Sequence, residues 1–232
     1  MTTVAAGHMD DRIGQALAWL EETGTPEGRA GMARYGIVAS KVFGVSVGQI
    51  RGYAKRLGRD HALAEALWET GWYEARLLAC FVDDPNEVTP QQMDRWAEGF
   101  ENWADCDTAC FHLFDKTPHA WAKVREWAPR EEEFVRRAAF ALLASLALHD
   151  KSASETPYLD ALPLIERGAT DPRNFVKKGV SWALRGIGHR KSPVLKAAAR
   201  RLAGRLAASS DPAARWVGKD AMREFAKKDS KA

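Results

Sequence analysis

The sequence FVRR at residues 134–137 recurs as FVKK at 175–178 and as WVGK at 216–219, at two successive intervals of 41 residues. Each copy lies in a stretch whose apolar residues recur every three or four positions, as on one face of an α-helix. A period near 40 residues is typical of proteins built from repeated helix pairs. The repeat therefore predicts an all-α fold in which each unit packs against its neighbours.

Helix start signals recur along the chain, whereas alternating strand patterns and hairpin turns are nearly absent. Thr89-Pro90 and Thr117-Pro118 each predict an N-cap followed by proline at the first helical position. Proline at that position also predicts helices over 157–167, 172–188, 193–208 and 212–227, with Asp171 and Asp211 as N-caps. Other helices are predicted after caps at Asp10, Asp11 and Ser46, and over 27–35, 61–68, 72–82, 90–99, 100 to about 115, 119–127 and 131–148.

Short loops join these helices into pairs, which favours an α-α superhelix. We expect a solenoid of HEAT-like antiparallel helix pairs with a concave basic groove; the alternative is an irregular helical bundle. We expect residues 1–232 to form a single HEAT-like repeat domain with flexible ends at 1–9 and 228–232.

Charge is distributed unevenly along the 232 residues, whose formal net charge is only +3. Residues 173–228 hold fifteen Lys and Arg against three acids, an excess that would attract a polyanion. No apolar run is long enough to cross a membrane, and residues 1–9 lack the features of a signal peptide. Three cysteines without framework spacing favour reduced thiols. We therefore expect a cytoplasmic protein, in the bacterial cytosol or nucleoid, and a monomer.

One predicted helix places an acid on the same face as an aromatic ring. Trp103 and Asp107 are four residues apart, one above the other, whereas Asp105 faces another side. An unpaired carboxylate costs a few kcal/mol to bury, so Asp107 needs a partner or a function. A structural ion pair with an arginine in the helical core is the alternative.

The repeat register also aligns cations. Arg137, Lys178 and Lys219 occupy equivalent positions and should point the same way, as a row suited to a phosphate backbone. The alternative is that these cations are solvated or pair with the preceding repeat. Trp182 is an addition in this register, because it falls where the preceding repeat has Ala141.

Several segments, in order, resemble the DNA alkylation repair glycosylases of the AlkD-like family, which are HEAT-repeat proteins. The similarity extends from about residue 10 to residue 225. The segments that carry it are Phe43-Gly44-Val45, Ile50-Arg51 to Lys55, Leu67-Trp68 through Tyr73-Glu74-Ala75-Arg76, Trp103 to Asp107, Phe134 to Arg137, and Phe175 to Arg185.

The resemblance implies a set of site residues. The family's catalytic carboxylate falls on Asp107, its two groove tryptophans on Trp103 and Trp182, and its lesion-proximal arginine on Arg137. For DNA binding it implies Tyr35, and it places Ser46 where the family has a glutamine. The basic repeat positions complete the predicted DNA-binding set with Arg136, Lys178 and Lys219.

The resemblance also implies an activity: monofunctional hydrolysis of the N-glycosidic bond of cationic N3- and N7-alkylated purines, such as 3-methyladenine and 7-methylguanine, in duplex DNA. No base-flipping pocket is expected. No metal-ligand spacing, P-loop or dinucleotide fingerprint is present in the sequence, so neither a metal nor a cofactor is expected. The alternatives are a non-catalytic HEAT-repeat binder of damaged or branched DNA and a protein-interaction scaffold.

Overall fold

The computed structural model describes the backbone of residues 2–230 and the side chains of residues 9–230. Within this part of the chain there are thirteen α-helices, one 3-10 helix and no strand, which confirms the predicted all-α class. The helices are α1 (Thr2–Thr23), α2 (Pro26–Arg34), α3 (Val47–Leu57), α4 (His61–Glu69), α5 (Tyr73–Val82), α6 (Pro90–Glu98), α7 (Trp103–His112), the 3-10 helix (Phe114–Lys116), α8 (Ala120–Trp127), α9 (Glu133–His149), α10 (Thr156–Gly168), α11 (Asn174–Gly188), α12 (Pro193–Ala207) and α13 (Pro212–Asp229).

The chain divides into two compact units, the first ending at Thr117 and the second beginning at Pro118. In the first unit α5 packs against α3, α4 and α7. In the second, α9, α11 and α13 pack side by side, and each is covered by the helix that precedes it, α8, α10 or α12. Consecutive helix pairs therefore form the layers that the repeat predicted. A single domain over residues 1–232 stays a prediction.

The flexible ends predicted at 1–9 and 228–232 fall partly outside the described residues. Met1, Lys231 and Ala232 are not described, whereas the backbone of residues 2–9 belongs to α1 and that of 228–229 to α13. The mobility of both ends stays a prediction.

Equivalent positions of the 41-residue repeat meet in the second unit. The valines of the three copies, Val135, Val176 and Val217, are all buried. The rings of Phe134 and Phe175 lie 5.5 Å apart, and the Lys177 ammonium lies 4.9 Å from the centre of the Trp216 ring. The repeated aromatic, valine and basic residues therefore pack one repeat against the next.

Three predicted helix caps form. The hydroxyl of Thr89 accepts a hydrogen bond from the Gln92 amide at 3.1 Å, and the carboxylate of Asp211 accepts one from the Ala214 amide at 2.8 Å. Ser46 caps α3 together with Gln49 in a reciprocal capping box. Each cap satisfies amides that the first helical turn leaves without partners.

Other predicted caps are wrong. Asp10 and Asp11 lie inside α1, which begins at Thr2. Thr117 caps nothing, because its hydroxyl donates to the Phe114 carbonyl and α8 begins only at Ala120. Asp171 does not cap α11, which begins at Asn174, because two arginines occupy its carboxylate.

Close packing of two helices explains why the third repeat copy has a glycine. Gly218 lies in α13, where a Cβ atom would come within 2.1 Å of the Ala207 amide nitrogen and 2.6 Å of the Ala203 carbonyl oxygen. The last turn of α12 therefore contacts α13 backbone to backbone. The other two copies have Arg136 and Lys177 at this position. The third helix pair therefore packs more closely than the two pairs that contain these long side chains.

The buried carboxylate of Asp171 connects α9 to the loop before α11. Its side chain is 3% exposed and accepts from Arg136 Nη1 at 2.8 Å and from Arg173 Nη2 at 2.6 Å. Burial alone would raise the pKa of Asp171, but the hydrogen bonds from Arg173 and Arg136 outweigh it and lower the pKa to about 2.

Replacing Gly218 with alanine should destabilise the protein by about 2–4 kcal/mol, because the added methyl group meets backbone that cannot move aside alone. Gly204→Ala is the matched control, since nothing lies within 4 Å of a Cβ at that exposed position of α12. We expect the control to stabilise by about 0.5–1 kcal/mol. Urea unfolding measures both, and equal effects would contradict the close contact of α12 and α13.

Replacing Asp171 with asparagine should cost about 1–2 kcal/mol at pH 7, because both arginines lose their carboxylate partner. A carboxyl whose pKa is lowered in the folded state contributes stability above its unfolded pKa of about 4. That contribution should disappear as the pH falls from about 4 towards 2, so wild type and variant should converge there. Urea unfolding between pH 7 and pH 2.5 tests this, with Asp160→Asn, an exposed aspartate of α10, as control. A difference that persists unchanged below pH 3 would contradict the assignment.

Candidate functional site

A buried carboxylate organises the first unit. Glu74 on α5 is fully buried, and its two oxygens accept hydrogen bonds from the amides of Phe43 at 2.9 Å, Gly44 at 2.6 Å and Val45 at 3.2 Å. Gly44 has a φ of +90°, and a Cβ there would lie 2.3 Å from the Thr25 carbonyl oxygen. Only glycine therefore fits this loop, which Glu74 holds against α5.

A second polar network extends from α5 to the start of α7. Arg76 donates to the Gly99 carbonyl at 2.9 Å and to Glu101 Oε1 at 3.1 Å. The other oxygen of Glu101 accepts from the Ser40 amide at 2.9 Å. The loop that precedes α7 is therefore connected both to α5 and to the segment around Ser40.

The first turn of α7 is closed by a capping box. Asn102 Oδ1 accepts from the amides of Ala104 and Asp105, and the Asp105 carboxylate accepts from the amides of Glu101, Asn102 and Cys106 at 2.7–3.3 Å. Asp105 is 1% exposed, and burial raises its pKa to about 7. Its carboxylate also accepts from the Asn102 side-chain amide at 3.5 Å, and because all these partners are close neighbours in the chain, Asp105 positions the start of the helix.

Trp103 and Asp107 occupy the outer side of α7. Both are partly exposed, in contrast to the buried Ala104, Asp105 and Cys106. The indole N–H of Trp103 donates to the Tyr35 carbonyl at 3.0 Å, and the Tyr35 side chain is exposed. The structure therefore brings Tyr35 and Trp103 together, with the Asp107 position one helical turn further along.

The helix itself is shorter than the sequence predicted. Phe100 precedes α7, Leu113 ends it and Phe114 lies in the following 3-10 helix; all three are buried. These residues are therefore core anchors on either side of α7, and they do not extend the stripe of Trp103 and Asp107.

Ser46 lies in the same unit but has a structural partner. Its hydroxyl bonds Gln49 Oε1 at 2.6 Å and accepts from the Gln49 amide at 3.3 Å, as part of the α3 cap. A DNA contact by Ser46 stays a prediction.

In the second unit, three predicted residues line one cleft of about 400 Å³. They are Arg137, Lys178 and Trp182, which come from α9 and α11. The same cleft is lined by three residues that were not predicted as site residues, Arg185, Trp216 and Asp220. Trp216 had a signal in the sequence, since it opens the third repeat copy, whereas Asp220 had none. Lys219 is exposed next to Asp220 but does not line the cleft.

The three cations of this cleft differ in their burial and in their contacts. Arg137 is only 6% exposed, and its Nη1 donates to the Phe175 carbonyl at 2.7 Å. Asp220 accepts from the Ser181 hydroxyl at 2.6 Å and lies 3.7 Å from Arg185 Nε. Lys178 is exposed. The cleft thus presents three cations and one acid around two indole rings, an arrangement that suits an anion with apolar surface.

Arg136 is engaged elsewhere. Its guanidinium bonds Asp171 and the Pro129 carbonyl at 3.1 Å, and the equivalent Lys177 covers Trp216. The first cation of each basic pair therefore contributes to packing, while the second, Arg137 or Lys178, lines the cleft. A DNA contact by Arg136 stays a prediction.

Two features are absent from the described residues. No group of three or more His, Cys, Asp and Glu side chains in this part of the chain is placed to hold a metal ion. None of its helices is long and apolar enough to cross a membrane.

Comparison with known structures supports the fold. The chain is similar to a solved structure described as "a new family of proteins related to the HEAT-like repeat DNA glycosylases with affinity for branched DNA structures". The TM-score is 0.74 at 20% sequence identity, and the match covers 91% of this chain and 94% of the other. The helix pairs therefore have the HEAT-like repeat architecture that the 41-residue period predicted.

Sequence comparisons supply the family. No curated protein sequence matches the chain significantly. The model of the family described as DNA alkylation repair enzyme matches residues 16–225. Because this match spans almost the whole sequence, the chain belongs to the DNA alkylation repair enzyme family.

Proposed function

We propose that the protein is a monofunctional DNA glycosylase that hydrolyses the N-glycosidic bond of cationic N3- and N7-alkylated purines, such as 3-methyladenine and 7-methylguanine, in duplex DNA. The observation that carries the proposal is the outer side of α7, where partly exposed Trp103 and Asp107 lie one turn apart. The neighbouring Asp105 is buried and caps the helix, which supports Asp107 as the catalytic carboxylate of this helix.

The proposed substrate determines what the site must do. An N3- or N7-alkylated purine already carries a positive charge, and it leaves as a neutral base when the glycosidic electron pair moves onto the ring. No general acid is therefore needed for the leaving group. Positive charge develops instead on the deoxyribose, where an ionised carboxylate and the electron-rich face of an indole stabilise it.

Water completes the reaction. Its oxygen bonds to the anomeric carbon as the bond to the purine nitrogen breaks, and one water proton is released, which leaves an abasic site and the free base. Asp107 orients this water and accepts its proton in the proposed mechanism. Trp103, held by its hydrogen bond to the Tyr35 carbonyl, presents a fixed indole beside the sugar.

The second unit binds the DNA backbone in this proposal. Trp182 packs on the sugar–phosphate backbone, and Arg137 and Lys178 contact flanking phosphates from the cleft that they share. Tyr35, Ser46, Arg136 and Lys219 are proposed as further DNA contacts. The chemistry uses neither a metal nor a cofactor, and we propose that the protein acts as a monomer in the cytoplasm or nucleoid.

Replacing Asp107 with asparagine should reduce release of 7-methylguanine from alkylated duplex by about 10²–10³-fold, because a neutral amide does not stabilise the developing sugar cation. DNA affinity should stay the same or rise slightly, since one negative charge near the phosphates is removed. Single-turnover base release and duplex titration measure the two effects separately.

The matched control for this variant is Asp160→Asn, which makes the same chemical change at an exposed position of α10. We expect the control to release base at the wild-type rate. If Asp107→Asn also does so, Asp107 is not the catalytic carboxylate.

A second candidate function is non-catalytic binding of branched DNA. It is favoured by the structural match, whose description names an affinity for branched DNA structures. That match, at 20% identity, establishes a shared fold and leaves the activity of this chain to experiment.

Base release and affinity for a four-way junction distinguish the two candidates. A glycosylase should release 3-methyladenine and 7-methylguanine in repeated turnovers and should bind a junction no more than about threefold more tightly than duplex of equal length. If neither lesion is released and the protein prefers the junction by tenfold or more, non-catalytic binding of branched DNA is the function and the glycosylase proposal is wrong.

A further inference from the structure

A second basic cleft lies in the first unit, away from the Trp103–Asp107 side of α7. It has a volume of about 320 Å³, and every charged side chain that lines it is a cation: Arg51, Lys55, Arg59 and Lys116. Phe81 and His112, whose rings lie 4.8 Å apart, form its apolar wall. None of these residues belongs to the set proposed above for catalysis or DNA binding.

Ion pairs do not account for the four cations. Among the side chains described at residues 9–230, none forms an ion pair with any of them. Arg59 donates to the carbonyls of Phe81 and Asp83, Lys116 donates to the His112 carbonyl, and the Arg51 guanidinium lies 5.9 Å from the Phe81 ring. Other exposed arginines do have partners, such as Arg95 with Glu65 at 2.6 Å and Arg205 with Glu166 at 3.1 Å.

The closeness of the cations affects the pKa of Lys116. Desolvation lowers the pKa of Lys116; Asp115 opposes this, and the nearby charges of Arg59 and Arg51 lower the pKa further. Asp84 acts on the cluster only at longer range, through Arg59. The cations therefore repel one another, and a bound anion would relieve that repulsion.

Helix ends explain part of this arrangement. Arg59 and Lys116 lie just beyond the last turns of α3 and α7, where cations are favoured by the carbonyl ends of helices. Arg51 and Lys55 are both exposed on α3, and neither hydrogen-bonds a helix-end carbonyl. Lys55 lies in the last turn of α3, so stabilisation of helix ends accounts for at most three of the four and leaves Arg51.

We propose that this cleft binds a phosphate group of the DNA strand on which the protein acts, as a contact separate from the Trp103–Asp107 site. The proposal rests on the DNA-directed function proposed above. Free phosphate is commonly held by amides at helix N-termini, whereas this cleft offers only flexible cationic side chains. Such side chains neutralise a phosphodiester without reading sequence, which fixes the position of the strand.

Helix α7 contributes to both places, to the cleft through His112 and to the candidate catalytic side through Asp107. His112 follows Asp107 by five residues, which corresponds to roughly 7.5 Å along the axis of α7 and roughly 140° around it. A strand held at the cleft is thereby positioned relative to Asp107 through a single rigid element. This contact positions the DNA and takes no part in the chemical step.

The test is a double variant, Arg51→Gln with Lys55→Gln, because both side chains are exposed and neither hydrogen-bonds another of the residues described at 9–230. The matched control, Arg95→Gln with Arg205→Gln, removes the same charge from arginines that are paired with acids. Circular dichroism and thermal unfolding check that both variants are folded. Binding to undamaged duplex is then measured from 50 to 300 mM salt.

We expect the cleft variant to bind about tenfold more weakly than the control, and the slope of log K against log salt to become less steep by about one, because one phosphate contact is lost. Base release at saturating protein should proceed at the wild-type rate. Equal affinities and slopes for the two variants would overturn the proposal. It would also be overturned if calorimetry showed inorganic phosphate binding to wild type and not to the cleft variant, with DNA affinity unchanged, since the site would then serve free phosphate.

Failure of the glycosylase proposal has a different signature. A wild-type protein without base release, whose duplex affinity still falls in the cleft variant, would refute the enzyme and leave the phosphate contact standing. A wild-type protein that releases base, together with a cleft variant that binds like the control, would refute the phosphate contact alone.

Discussion

The buried carboxylate of Glu74 is the constraint on which the first unit depends. A fully buried carboxylate is costly unless its oxygens are satisfied, and three consecutive amides of residues 43–45 satisfy them. Two positions further along α5, Arg76 holds the loop before α7. One short helix therefore anchors both segments that flank Trp103. The candidate catalytic side of α7 is positioned by these bonds, of which those to Glu74 are buried, whereas the Arg76–Glu101 bond is exposed.

The two aspartates of α7 show how burial divides one residue type between two roles. Asp105 is enclosed by backbone amides, and its raised pKa reflects that burial. Asp107, two residues later, is partly exposed. Since successive helical residues are rotated by about 100°, a separation of two is enough to turn one carboxylate into the protein and the other outwards. The same separation of roles divides Arg136, which is bound to Asp171, from Arg137, which lines the cleft of the second unit.

One cluster of surface cations is not paired with acids among the described residues. Many surface arginines lie against a nearby acid, and such pairs contribute little beyond local order. The cluster of Arg51, Lys55, Arg59 and Lys116 has no such partner among the described residues. Like charges held together cost stability, so a cluster of this kind is accounted for by an anion that it binds.

The sequence by itself determined the all-α class, the helix pairing and the 41-residue register, because helix periodicity, proline at N1 and repeat spacing are local or regularly spaced signals. It also singled out Trp103, Asp107, Arg137 and Trp182, through a family resemblance. Only the tertiary structure decided that Asp171 binds two arginines instead of capping α11, and that Trp216 and Asp220 share a cleft with Trp182. Only the tertiary structure gathered the unpaired cations of α3 with Lys116. The physical reason is distance along the chain: apart from Arg173, which is two residues from Asp171, these partners lie about 35 to 65 residues apart, beyond the reach of any local pattern, and they meet only when the helices pack.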